Sequence, residues 1–222
     1  AAVCGAVPVI TTATDAHGIF AVDEWAKHQN CTVLEAERIK HVSSKLLAGQ
    51  SVRFAAEFPV QGTPPAGVDP ARTPAEADFA LTLSPAGDAL HLVPRIGVLG
   101  IGCRRGISRE AVEEAIGKVF AENRLDPAAI LGVFSIDLKE HEPGLLAACA
   151  AHGWPAHFYS ASQLQAVPGE FTGSDFVRAV TGVENVCERA AFLDAERLLV
   201  KKTACDGVTV AVAAEHWEAD FG

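Results

Sequence analysis

Two adjacent arginines, Arg104 and Arg105, stand in a glycine-rich turn that follows an apolar run at residues 96–101. Ser108 then has the residue type that begins a helix, so the segment is predicted to be a strand, a turn and a helix N-terminus. The N–H groups at a helix start and the forked guanidinium of arginine both bind oxyanions. No acidic residue occurs at 89–109, although the chain has a net charge of −10. We therefore expect carboxylates or phosphates at this turn; the alternative is a packing turn with solvated arginines.

Polar residues also follow two further apolar runs, at 129–136 and 155–159. If these strands are parallel to the first, their C-terminal ends share one edge of the sheet, where ligands bind in open α/β folds. The candidates for binding a polycarboxylate at that edge are Gly102, Cys103, Arg104, Arg105, Ser135, Lys139 and Ser160. Asp137 and Glu142 remain as candidates for acid–base catalysis. The alternatives are that Asp137 caps a helix and that Glu142 stabilises a helix N-terminus.

A second polar turn, Thr11-Thr-Ala-Thr-Asp15, follows a short predicted strand at 7–10. Thr11 and Thr12 are candidates for contacting substrate, and Asp15 is a third candidate for the catalytic base. The alternative is a cap for the next helix, because Thr and Asp are preferred at that position.

The six cysteines contain no Cys-x-x-Cys pair, and no histidine completes a zinc pattern, so we predict six free thiols and no metal site. Most are expected to be small core residues. Cys103 is the exception, because the adjacent arginines and a helix N-terminus are expected to lower the pKa of its thiol, which would favour a nucleophile.

Glu184 and Glu188 lie about one helical turn apart. If Glu188 faces inward, its carboxylate needs a partner, for which Lys201 and Lys202 are the candidates. These lysines end a predicted strand and would add positive charge to the same edge of the sheet.

The composition excludes several classes of protein. The chain has 222 residues, 49% of them hydrophobic, which is ample for a buried core. A pI of about 5.2 argues against nucleic acid as a partner. No apolar run approaches the roughly 18 residues that span a membrane, and no signal peptide opens the chain, so we expect a soluble cytoplasmic protein. The turn at 102–106 has neither Rossmann nor Walker spacing, which disfavours a nucleotide.

From Arg95 onward, nearly continuous apolar strands alternate with helices, which is typical of an α/β sheet covered by helices on both faces. The predicted helices span 109–123, 142–152, 174–182 and 184–195, and Asp206-Gly207 predicts a hairpin between strands at 198–202 and 208–213. Residues 95–214 are therefore predicted to form a C-terminal α/β domain, and residues 215–222 a tail.

A smaller α/β linker segment is expected ahead of that domain. Residues 1–58 are predicted to be a remnant of an N-terminal domain with a central helical segment, because the first residues read as the middle of a longer chain. Residues 59–94, rich in Pro and Gly, are predicted to be a linker with a short hairpin formed by 78–83 and 89–93.

Six motifs occur in an order that resembles a known family. They are Gly100-Ile-Gly-Cys-Arg-Arg-Gly106, Ser135-Ile-Asp-Leu-Lys139, Glu142-Pro-Gly-Leu-Leu146, Phe158-Tyr-Ser160, Gly182-Val-Glu-Asn-Val-Cys-Glu188 and Gly207-Val-Thr-Val-Ala211. Together they resemble the C-terminal domain of the cobalt-precorrin-5A hydrolase family, the CbiG-type proteins of anaerobic cobalamin biosynthesis. The same domain occurs alone in a companion protein of the aerobic pathway. Pro8-Val-Ile-Thr-Thr-Ala-Thr-Asp15 resembles the end of the hydrolase's N-terminal domain, which favours the hydrolase. The family often has a proline where this chain has Lys201.

The resemblance implies a reaction and its participants. Water opens the δ-lactone of cobalt-precorrin-5A, and a two-carbon unit leaves as acetaldehyde to give cobalt-precorrin-5B. The cobalt comes with the substrate, so no cofactor is expected. Arg104, Arg105 and Lys139 suit the developing oxyanion and the peripheral carboxylates, and Asp137, Glu142 or Asp15 would be the base. Neighbouring cobalamin-pathway enzymes and a second copy of the chain are further candidate partners.

Two other functions remain open at this point. A non-catalytic tetrapyrrole carrier or scaffold would need the arginine edge but no base. A generic anion-binding α/β domain acting on a nucleotide is the weaker alternative.

Overall fold

The computed structural model describes residues 19–222, apart from the side chain of Phe176. The chain forms two compact units, one of them made of the described residues up to Pro94 together with 218–222, and the other of 95–217. Within the described residues, no helix has the length and apolar character needed to cross a membrane. Several predictions fall outside these residues: the strand at 7–10, Cys4, Thr11, Thr12 and Asp15.

The first unit contains a mixed five-stranded sheet. The helices and strands of this unit up to Pro94 are α1 (Val22–His28), β1 (Cys31–Val33), α2 (Ile39–Leu47), β2 (Val52–Ala56), β3 (Val60–Gln61), β4 (Val68–Pro70), β5 (Phe79–Leu81) and β6 (Leu90–Pro94). The sheet order is β1-β6-β5-β2-β4, in which only β1 is antiparallel to its neighbour. Aromatic rings contribute to this unit's packing, with Trp25 stacked on Phe221 at 4.6 Å between ring centroids.

The predicted hairpin at 78–83 and 89–93 is wrong. β5 and β6 are parallel neighbours, with Phe79 opposite Leu90. β6 is buried along its whole length, as is typical of a strand inside a parallel sheet. The predicted linker at 59–94 is wrong as well, because this segment carries four strands of two to five residues. Strands this short do not show a periodic pattern in the sequence.

The second unit is an α/β sheet with three parallel strands. Its elements are β7 (Gly97–Cys103), α3 (Arg109–Asn123), β8 (Ile130–Ile136), α4 (Pro143–His152), β9 (Ala156–Tyr159), α5 (Ala161–Ala166), α6 (Asp175–Thr181), α7 (Cys187–Ala191), β10 (Arg197–Cys205) and β11 (Val208–Ala214). The order is β10-β11-β7-β8-β9; β7, β8 and β9 are parallel, and β10 and β11 form an antiparallel hairpin added beside β7. The helix predicted at 184–195 is shorter than expected, because only 187–191 are helical.

Helices cover both faces of this second sheet, which confirms the predicted α/β class. On one face α3 and α4 pack through residues such as Val112 and Leu145 against Leu99 of β7. On the other face Leu164 of α5 and Ala190 of α7 pack in the cluster that contains Val98 and Phe134 of the sheet. Because both faces are covered, the strands read as continuous apolar runs in the sequence.

The last residues return to the first unit, so the predicted tail at 215–222 is wrong. β12 (Ala219–Asp220) pairs in parallel with β3, placing Ala219 opposite Val60. The indole Nε1 of Trp25 donates a hydrogen bond of 2.8 Å to the carbonyl oxygen of Asp220. These contacts join residues that are distant in sequence, so no local sequence pattern predicts them.

Helix α7 lies directly on β7 because residue 100 has no side chain. A Cβ on Gly100 would lie 1.8 Å from the carbonyl oxygen of Cys187 and 2.7 Å from the backbone nitrogen of Ala191. Both atoms belong to the backbone of α7, so the clash has no flexible side chain to relieve it.

We expect Gly100→Ala to lower the free energy of unfolding by about 3 kcal/mol, because the helix must move off the sheet. The matched control is Gly117→Ala in α3, where a Cβ would meet no atom within 4 Å. That control should be neutral or stabilise the protein by about 0.8 kcal/mol, since Ala is the better helix former. Urea unfolding followed by circular dichroism measures both changes. Equal stability of the two variants would show that the close approach is not required.

Candidate functional site

A cavity of about 710 Å³ lies at the edge of the second sheet where β7 and β8 end. Its walls come from the β7–α3 turn, the segment after β8, helix α6 with the loop to α7, and the β10–β11 hairpin. Because β7 and β8 are parallel, their C-terminal ends meet at this edge, as predicted. Of the predicted binding residues, Gly102, Cys103, Arg104, Arg105 and Lys139 line the cavity.

The turn that carries the arginines is fixed by backbone contacts. The N–H of Arg104 donates to the carbonyl oxygen of Gly207 in the β10–β11 hairpin at 2.9 Å. Gly207 has a φ of +83°, and a Cβ there would lie 2.8 Å from Cδ of Arg104, so the arginine side chain runs closely across this glycine. Ser108 accepts a hydrogen bond from the N–H of Ala111 and begins α3, as predicted.

Four of the residues that line the cavity are basic. Arg104, Arg105, Lys139 and Lys202 line it together with one acidic residue, Asp206. Among the described residues, the side chains of Arg104, Arg105 and Lys202 form no hydrogen bond or ion pair. Their charges are therefore available to an anionic ligand, against the net charge of −10 of the whole chain.

The cavity also has an apolar part, which no pattern in the sequence indicated. It includes Ile136, Val177, Val180, Val186 and Leu138. Val180 and Leu138 are each 62% exposed, which is high for large aliphatic residues. An amphipathic ligand would cover these two side chains while its charged groups meet the arginines and lysines. Helix α6 was predicted as a helix, but nothing in its sequence indicated that it faces the strand ends.

Ser135 and Ser160 do not line the cavity. Ser135 is fully buried, and its hydroxyl donates to the carbonyl oxygen of Ile101 at 2.6 Å, which joins β8 to β7. Ser160 caps α5, where its hydroxyl accepts from the N–H of Gln163 in a capping box. Both hydroxyls thus have structural partners, and any contact of theirs with substrate stays a prediction.

The two described base candidates differ in their surroundings. Glu142 is buried, and its Oε1 accepts from the N–H of Gly106 at 2.9 Å, while Oε2 lies 3.9 Å from Nζ of Lys139. Asp137 is exposed, and its Oδ1 accepts from the N–H of Leu138 at 2.8 Å. Neither carboxylate is among the residues that line the cavity. Their catalytic roles stay predictions, as does that of Asp15 outside the described residues.

The predicted lowering of the Cys103 pKa is wrong. Burial raises the pKa of this thiol to about 11, and the nearby Lys139 ammonium opposes the shift only in part. The side chain packs against the apolar cluster beneath α3 and α4, where a thiolate is poorly solvated. All five described cysteines are free, in agreement with the prediction for those positions.

Glu188 faces inward, but its partners are not the predicted ammonium groups. It is 1% exposed and accepts three hydrogen bonds, one of them from the backbone N–H of Lys202 at 2.7 Å. The side chain of Lys202 lines the cavity, whereas Lys201 does not. No cluster of three metal-ligating side chains occurs among residues 19–222.

We expect Cys103 to react slowly with iodoacetamide in the folded protein. With a pKa of about 11, about one thiol in a thousand is ionised at pH 8. As long as the pH stays below that pKa, raising it by one unit should increase the labelling rate about tenfold. Mass spectrometry of the labelled peptide measures this rate, with the chain unfolded in guanidinium chloride as the control. Labelling at pH 8 that is as fast in the folded as in the unfolded chain would contradict the raised pKa of this half-buried thiol.

The comparisons with known proteins cover this unit and most of the chain. Residues 97–213 match the family described as cobalamin synthesis G C-terminus. Cobalt-precorrin-5A hydrolase of Salmonella typhimurium is 30% identical over 97% of this chain and 66% of its own length. The enzyme of the same name from Priestia megaterium is 28% identical over 96% of this chain and 63% of its own length. The chain thus spans about two thirds of the length of these two relatives.

A solved structure agrees with the family match. The crystal structure of CobE, a protein from the cobalamin (vitamin B12) biosynthetic pathway, is 31% identical and covers 55% of this chain and 92% of that chain, with a TM-score of 0.51. The family match extends over more than half of the chain and contains most of the walls of the cavity. The chain therefore belongs to the cobalamin synthesis G family, through its C-terminal domain.

Proposed function

We propose that this chain takes part in cobalamin biosynthesis by hydrolysing the δ-lactone of cobalt-precorrin-5A. Water adds to the lactone carbonyl, and the acyl C–O bond breaks to give a carboxylate and a hydroxyl group. The hydroxyl-bearing two-carbon unit then leaves as acetaldehyde when its hydroxyl proton passes to a base and its C–C bond to the macrocycle breaks. The electron pair of that bond stays on the macrocycle, which takes up a proton, and cobalt-precorrin-5B results. The cobalt arrives as part of the substrate.

The observation that carries the proposal is a cavity lined by both basic residues and exposed apolar residues. A cobalt-precorrin is a largely apolar macrocycle whose rim bears acetate and propionate groups. Arg104, Arg105 and Lys202 have charges free to pair with those carboxylates. Val180 and Leu138 offer exposed apolar surface for a face of the ring. The names of the two hydrolase relatives support the same ligand.

The proposal assigns the cationic residues to binding and to charge stabilisation. As the lactone carbonyl is attacked, negative charge develops on its oxygen, and a guanidinium or ammonium group nearby lowers the barrier. Arg104, Arg105, Lys139 and Lys202 are the groups of this kind that line the cavity. Asp137, Glu142 and Asp15 are the proposed alternatives for the base that activates water.

A tetrapyrrole carrier is the second candidate function. It is favoured by the absence of any Asp or Glu other than Asp206 among the described residues that line the cavity. Such a protein would bind the macrocycle through the same walls and leave it unchanged.

The experiment that separates the two functions is acetaldehyde release. The chain is incubated with cobalt-precorrin-5A, and acetaldehyde is followed through NADH consumption by alcohol dehydrogenase, with a reaction lacking the chain as control. Release above that control supports the hydrolase. Binding of the substrate without release of acetaldehyde supports the carrier. If the chain neither binds the substrate nor releases acetaldehyde, both proposals are overturned.

We expect Arg104→Ala to weaken the binding of cobalt-precorrin-5A about tenfold, because one charge-assisted hydrogen bond to a peripheral carboxylate is lost. Arg95→Ala is the matched control: Arg95 is an exposed arginine just before β7, at the opposite end of the strand from the cavity. An absorbance titration of the corrinoid measures both dissociation constants. Equal affinity of Arg104→Ala and the wild type would remove Arg104 from the site, and a loss in both variants would indicate a nonspecific charge effect.

A further inference from the structure

Glu188 is a buried carboxylate behind the cavity, and its contacts are unusual. It is 1% exposed and is not among the residues that line the cavity. Its Oε2 accepts from the backbone N–H of Thr172 at 3.0 Å and from Nδ2 of Asn185 at 2.5 Å, and its Oε1 accepts from the backbone N–H of Lys202 at 2.7 Å. No described residue forms an ion pair with it. A buried charge is tolerated only when hydrogen bonds replace its hydration, and here three N–H donors do so.

The donor from β10 is available because the strand is irregular at that point. The pairing of β10 with β11 shifts register between Val200 and Thr203, so Lys201 and Lys202 fall within a bulge. A bulge leaves a residue out of the backbone ladder, and its N–H must find another acceptor. The Glu188 carboxylate is that acceptor for Lys202.

The donors on the other side hold the segments that flank α6. Thr172 lies three residues ahead of this helix, and Asn185 lies in the loop that follows it. Nδ2 of Asn185 also donates to the carbonyl oxygen of Thr172 at 2.9 Å, and Oδ1 of Asn185 accepts from the N–H of Glu188 at 2.9 Å. The two ends of α6 are thereby joined to each other and to Glu188.

Glu188 itself is held in a fixed place. It belongs to α7, whose backbone lies directly on β7 at Gly100. From this position it connects three segments that each contribute to the cavity: α6 with Val177 and Val180, the α6–α7 loop, and β10 with Lys202. Val177 and Val180 on α6 and one of the free cations, Lys202, are therefore connected to the same carboxylate.

We propose that Glu188 is a positioning residue that sets the spacing between α6 and Lys202, and thereby the affinity of the cavity for its tetrapyrrole. The identity of the ligand rests on the proposed function, whereas the tether itself is a property of the free protein. Glu188 touches no reacting atom in this account, so its loss should act on binding and not on the chemical step.

The test uses Glu188→Gln, in which an NH₂ group replaces one oxygen and faces an N–H donor, so that at least one tether is lost. We expect faster amide hydrogen exchange at Thr172, at Lys202 and throughout α6 in the free protein. We also expect the dissociation constant and KM for cobalt-precorrin-5A to rise about tenfold, as for the loss of a charge-assisted bond, with kcat for acetaldehyde release within about twofold of the wild type. Glu35→Gln is the control, because Glu35 is a carboxylate that accepts from His91 in the first unit. This control variant should leave the amide exchange rates, the dissociation constant, KM and kcat unchanged.

Several outcomes would overturn the proposal. One is a folded Glu188→Gln protein with wild-type exchange and wild-type affinity. Another is a lowered melting temperature with unchanged affinity and KM, which would make Glu188 a stabilising residue only. If the variant does not fold, exchange in the wild type decides, because amides of Thr172 and Lys202 that exchange as fast as exposed ones would disprove the tether. A wild-type chain that binds no tetrapyrrole would overturn the proposed function. The comparison of amide exchange between the wild type and Glu188→Gln would still show whether the carboxylate holds these segments together.

Discussion

The contact between α7 and β7 at Gly100 is the constraint on which the candidate site depends. The carbonyl oxygen of Cys187 occupies the space of the missing side chain, 1.8 Å from where a Cβ would be. This close approach fixes α7 on the sheet, and α7 carries Glu188. The carboxylate of Glu188 accepts hydrogen bonds from Thr172, ahead of α6, and from Lys202 of β10. The position of α7 therefore helps to fix the positions of both segments. The segments of the cavity around α6 and Lys202 are thus connected, through Glu188, to the backbone contact between α7 and β7.

Three of the cations at the site lack an ion-pair partner among the described residues, in a chain that is acidic overall. The protein has a net charge of −10, and several surface lysines and arginines form ion pairs, for example Arg109 with Glu113 at 2.8 Å. At the cavity, Arg104, Arg105 and Lys202 have no such partner among the described residues. Like charges held close together raise the energy of the free protein, and an anionic ligand relieves that repulsion. Unpaired cations beside exposed apolar side chains are what a ligand with an apolar body and a carboxylate rim requires.

The sequence predicted the basic half of the site because the signal is local. Apolar runs, a glycine-rich turn and the cap at Ser108 placed Arg104 and Arg105 at the end of a parallel strand, where the structure has them. The apolar half was missed because Val180 lies on a helix far along the chain, brought to the strand ends by tertiary contacts. Glu188 was expected to need a cation, but backbone and amide N–H groups serve it, and a sequence does not show which backbone groups a bulge releases. The parallel pairing of β5 and β6 was missed because the strands are too short to show a period.

The central claim is that the macrocycle binds in the cavity at the strand ends of the second unit, against both its basic and its apolar residues. The most direct test is a crystal structure of the chain with cobalt-precorrin-5A bound. The account predicts a macrocycle face against Val180 and Leu138, with peripheral carboxylates about 3 Å from the guanidinium or ammonium groups of Arg104, Arg105 or Lys202. A macrocycle bound only to the first unit, with no contact to these side chains, would contradict it.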